Sequence, residues 1–103
     1  MLALKKLEMI LKFISINNPQ QKLQFIWSFK SVLLYLGMDN YLDQALDEIF
    51  TVITEHRNPW PSHFTKTQKL DFIDTLINHY TAKEVYENCS DLNEIRQKID
   101  YLI

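Results

Sequence analysis

The residues of this chain best suited to hold a metal or act as a nucleophile are His56, His63, His79 and Cys89. Zinc sites draw their ligands in closely spaced pairs, as in CxxC or HExxH, so that two come from one turn of backbone. Here the successive gaps are 7, 16 and 10 residues, which match no such pattern, and neither metal nor another cofactor is expected. Cys89 falls in an apolar stripe, where a thiol behaves as a small hydrophobe. Asp71 and Asp74 stand three apart on one helix, but spacing alone does not make an acid and base pair. The expectation is a protein that is not an enzyme.

Carboxylates offer a different chemistry, that of docking. Asp39, Asp43, Asp47 and Glu55 follow a four-residue step, with Thr51 in the gap and Glu48 beside them. On a helix such like charges stack about 5–6 Å apart and repel, which does nothing for helix stability. Two readings stand. In one, Asp39 caps the helix, Asp43 favours its positive start, and Asp47 and Glu55 are ordinary solvated charges. In the other, the row is an acidic face for a basic protein, with Phe50 at its margin as an aromatic anchor. A second candidate is Pro59-Trp60-Pro61, whose prolines lower the entropy of presenting Trp60 to a partner. The competing reading folds Trp60 back as a lid over the end of a bundle, beside Phe64. The partner-binding candidates are thus Asp43, Asp47, Phe50, Glu55 and Trp60.

Composition bounds the scaffold that must position these groups. The chain has 103 residues, of which 47% are hydrophobic, with one Gly, three Pro, one Cys and a net charge of −2. A single domain spanning 1–103 is expected, large enough to do without disulfide or metal. The apolar share excludes intrinsic disorder. One glycine excludes Gly-rich phosphate loops and a turn-rich β-sandwich. A lone cysteine cannot close an internal disulfide, which fits a cytoplasmic setting. Glu8 and Lys12 interrupt the apolar start, so neither a signal peptide nor a membrane span is expected.

Charge is unevenly spread. Residues 1–30 carry five lysines against Glu8 alone, a net +4, whereas residues 31–103 carry six basic and twelve acidic groups, a net −6. A net-acidic chain is poorly suited to nucleic acid, because affinity there depends on neutralising phosphates.

Helical periodicity runs the length of the chain, with no alternating strand pattern. A first helix over 2–16 has Ala3, Leu4, Leu7, Ile10, Leu11 and Ile14 on one face, expected inward. Leu2, Met9, Phe13 and Ile16 form a second stripe opposite, available either for burial under later helices or for isologous contact with a second copy. Asn18 and Pro19 open a second helix over 19–36, apolar on both sides: Leu23, Ile26, Trp27, Leu33 and Leu34 against Phe25, Phe29, Val32 and Leu36. Gly37 ends it in left-handed backbone. A third helix over 40–56 turns Leu42, Ala45, Leu46, Ile49, Val52 and Ile53 inward.

After the proline loop, three capping-box patterns predict three short helices. Thr65 with Gln68 opens one that runs to about His79, with Leu70, Ile73, Leu76 and Ile77 inward. Thr81 with Glu84 opens the next, with Val85, Tyr86 and Cys89 apolar. Asp91 with Glu94 opens the last, with Leu92, Ile95, Ile99 and Leu102 inward. The expectation is an all-α bundle of five to six helices, three longer ones followed by two or three short ones. The final pair mimics a helix-turn-helix, but Asp91, Glu94 and Asp100 outnumber Arg96 and Lys98, so DNA binding is not expected.

In size, charge and helical style the chain resembles bacterial immunity proteins and antitoxins. That resemblance implies an inhibitor that occludes a basic partner, with Asp43, Asp47 and Glu55 steering and Phe50 or Trp60 anchoring. The alternative is a homo-oligomeric subunit joined through Leu2, Met9, Phe13 and Ile16.

Overall fold

Five α-helices account for the regular structure: α1 Leu2–Ser15, α2 Pro19–Tyr35, α3 Asp39–Glu55, α4 Lys66–Ala82 and α5 Tyr86–Tyr101. The computed structural model describes residues 2–56 and 58–101, the side chains of Leu2, Ala3, Lys5 and Met9 excepted; among them there is no strand. The architecture is all-α, as periodicity predicts. The chain divides into two compact units, Met1–Pro61 and Ser62–Ile103.

In the first unit, Asn18 caps α2 by accepting from the backbone N–H of Gln21 at 3.1 Å, and Pro19 occupies the first turn. The end of α2 is a two-bond closure. The N–H of Met38 reaches the carbonyl of Leu33 at 2.9 Å, and that of Gly37 reaches Leu34 at 3.0 Å. Gly37 sits at φ 71°, where a Cβ is disfavoured. Asp39 is not the cap expected of it: α3 begins at Asp39 itself, after Met38, with no side-chain cap. Its charge favours the helix start from inside the first turn.

Leu23, Ile26 and Leu33 are buried on one side of α2, and Phe25 and Leu36 on the other, so both of its apolar faces are covered. Leu34 departs from the expectation and is exposed, one residue before α2 ends. Of the predicted α3 stripe, Leu42, Ala45, Leu46, Ile49 and Ile53 are buried and Val52 is half-buried.

Helix α1 turns the opposite way from its predicted orientation. Phe13 is 3% exposed, its ring 5.9 Å from Phe25 and edge-on to Tyr41 at 6.1 Å. Lys22 Nζ lies 4.8 Å from the same ring centroid, a cation–π contact. One aromatic ring buries more surface than a leucine and fits between two rings already in place, so the Phe13 side goes inward. Leu4, Leu7, Leu11 and Ile14 are left at 63, 50, 56 and 63% exposure.

In the second unit, Thr65 and Gln68 form the predicted capping box. The Gln68 N–H donates to Thr65 Oγ1 at 3.1 Å, and the Thr65 N–H donates to Gln68 Oε1 at 2.8 Å. The later boundaries differ from the sequence reading. The Thr81–Glu84 pattern closes α4 rather than opening a helix: Val85 N–H bonds Tyr80 O at 2.9 Å and Glu84 N–H bonds Thr81 O at 3.1 Å. Glu84 takes the positive φ, 60°, that Gly37 takes in the first unit. Past it, α5 runs unbroken through Asn88, Cys89, Ser90 and the expected Asp91 start, because no Pro or Gly interrupts the backbone. Two expected short helices are therefore one, and α4 and α5, at 17 and 16 residues, are as long as their predecessors.

Phe72, Ile73, Leu76 and Tyr80 of α4 and Leu92 of α5 are buried. Arg96 Nε donates to Asp74 Oδ1 at 2.9 Å, joining α5 to α4. That hydrogen bond first, and the Asp74 charge second, raise the guanidinium pKa further. Leu102, expected inward, lies outside the described residues.

Candidate functional site

The outer side of α3 carries the acidic row. Asp47 and Glu55 are exposed, Asp43 and Phe50 half-buried. Within the row Thr51 Oγ1 donates to the carbonyl of Asp47 at 3.4 Å, and Thr54 Oγ1 to that of Phe50 at 3.0 Å. Beside the row, Lys22 of α2 forms an ion pair with Glu48 while also capping the Phe13 ring. Beneath this pair lies Tyr41, whose hydroxyl is buried without a hydrogen bond. Burial first, and the Glu48 charge second, hold its phenol above the usual tyrosine pKa.

Trp60 does not present itself. It is 7% exposed, and Pro59 and Pro61 are buried with it. Gln20 Nε2 donates to the carbonyl of Asn58 at 3.1 Å and so ties the loop to α2. A bulky indole gains more from burial than a stiffened loop saves in entropy. Trp60 is therefore buried, as the competing reading has it, and not presented to a partner.

The oligomerisation candidates change in the same way. Phe13 is buried and so is not offered to another chain, and Ile16 is half-buried; the side chains of Leu2 and Met9 lie outside the described residues. What α1 exposes instead is four members of the row expected inward, Leu4, Leu7, Leu11 and Ile14, while Ile10 of that row is half-buried. A legible signal existed: the row steps by 3, 4 and 3 residues, the a/d spacing of a helix seam, and the opposite stripe holds the sole aromatic of α1. Alongside, Lys6 and Ile10 of α1 line an open groove of about 500 Å³ with Gly37, Met38, Asp39 and Tyr41.

Elsewhere the chemistry is sparse. Cys89 Sγ donates to the carbonyl of Ile77 at 3.6 Å and lies 3.4 Å from Thr81 Oγ1, a half-buried thiol packed on α4. An open groove on α5 is lined by Glu94, Gln97, Lys98 and Tyr101, one face of one helix. Among the described residues no three His, Cys, Asp or Glu come together as a metal-binding group, and no helix is long and apolar enough to cross a membrane. The described surface carries an aliphatic stripe on α1 and an acidic row on α3. No protein family, curated protein or solved structure matches this chain.

Proposed function

We propose that this protein is a non-enzymatic protein-binding module that works through the faces of its helices. The observation that carries the reading is the α1 stripe. Four consecutive positions of one helix face, Leu4, Leu7, Leu11 and Ile14, are each at least half exposed. A single exposed leucine is ordinary, but a contiguous aliphatic row on a folded domain marks a contact surface. Burying such side chains contributes about 1.5–3 kcal/mol apiece, enough to drive association once a partner matches the shape.

A second reading, an inhibitor that occludes a basic partner, is favoured by the exposure of Asp47 and Glu55 beside the half-exposed Phe50. The row would steer a cationic surface into place, and the ring would supply contact area.

One comparison tests both. Wild-type protein, Leu7→Asp/Leu11→Asp and Asp43→Lys/Asp47→Lys are immobilised in parallel and challenged with extract of the source cells. The stripe reading expects at least one polypeptide that wild type retains and the leucine variant loses. The inhibitor reading expects a basic polypeptide lost with the charge-reversed variant, the difference shrinking as salt rises. Identical retained sets for all three proteins would remove both readings.

A further inference from the structure

We draw no further inference here: the strongest candidate, the exposed aliphatic stripe Leu4, Leu7, Leu11 and Ile14 along α1, carries nothing beyond the contact surface already proposed, because nothing in the structure shows what covers it.

Discussion

Helices α1 and α5, one in each unit, are built alike on the inside and differently on the outside. Each has a single fully buried residue among those described, Phe13 in α1 and Leu92 in α5. Outward, α5 shows Asp91, Asn93, Glu94, Gln97 and Lys98, with the exposed Tyr86 and Tyr101 only at its two ends, whereas α1 shows a row of three leucines and an isoleucine. A helix with one buried row and one polar face is complete within its own chain. One with two apolar rows is complete only when something covers the second. The difference makes the first unit, rather than the second, the place where the proposed contact is to be tested.

The largest effects should come from the two anchors. Phe13→Ala and Leu92→Ala should each lower unfolding free energy by about 3–4 kcal/mol, through lost transfer energy and an unfilled cavity. Leu11→Ala, equally aliphatic but exposed, should stay within about 0.5 kcal/mol. Urea unfolding of dilute protein measures all three. A large loss at Leu11 with little at Phe13 would mean that α1 faces the other way, and the comparison with α5 would collapse.

The same contrast explains what the sequence disclosed and what it withheld. For α5, Leu92, Ile95 and Ile99 were the sole apolar row, so periodicity alone pointed them inward; Leu92 is buried and the two isoleucines half-buried. For α1 two rows competed, and counting positions favoured the longer aliphatic one. What decided was tertiary: a pocket edged by Phe25 and Tyr41 that fits one ring. The site suffered accordingly. The α3 acids were legible because exposed charge needs no packing knowledge, while Trp60 and Phe13 were offered outward and lie inside. Helix ends follow the same rule. Asn18, Gly37 and Thr65 announce their roles locally, but the left-handed residue after α4 is a glutamate, and nothing in Thr81-Ala82-Lys83-Glu84 distinguishes a closing turn from an opening one.

That pair of turns supplies a prediction of intermediate size. Gly37 and Glu84 occupy equivalent places in two-bond helix closures, at φ 71° and 60°. Gly37→Ala should destabilise by about 1 kcal/mol. The strain is in the backbone, since the space a Cβ would enter is open. Glu84→Gly should do the reverse, stabilising by about 0.5–1 kcal/mol and raising the melting temperature, because the cost of a side chain in left-handed backbone disappears. A Glu84→Gly variant no more stable than wild type would mean that the glutamate side chain contributes there, and that the turn into α5 is less like the turn into α3 than its hydrogen bonds make it.

The smallest effect concerns Lys22, which links the α1 anchor to the α3 face. Its ammonium lies over the Phe13 ring and pairs with Glu48. Lys22→Met keeps an apolar stem and a polarisable atom against the ring, and removes the charge from both contacts. The ion pair joins a largely covered lysine side chain to an exposed glutamate, and a pair open to water on one side contributes little. The cation–π contact at such a site is worth about 0.5–1 kcal/mol, part of which the thioether returns, and a net loss of about 0.5 kcal/mol is expected, smaller still at high salt. The surface consequence is larger than the stability consequence. With Lys22 gone, Glu48 adds an unneutralised charge beside Asp47, and the row becomes more negative while the fold barely changes. If α3 is the face that steers a basic partner, the Lys22→Met protein should associate faster than wild type at low ionic strength and at the same rate at high. A stopped-flow association rate indifferent to this substitution at low salt would separate the charge on α3 from binding, and would leave the aliphatic side of α1 as the sole contact surface the first unit offers.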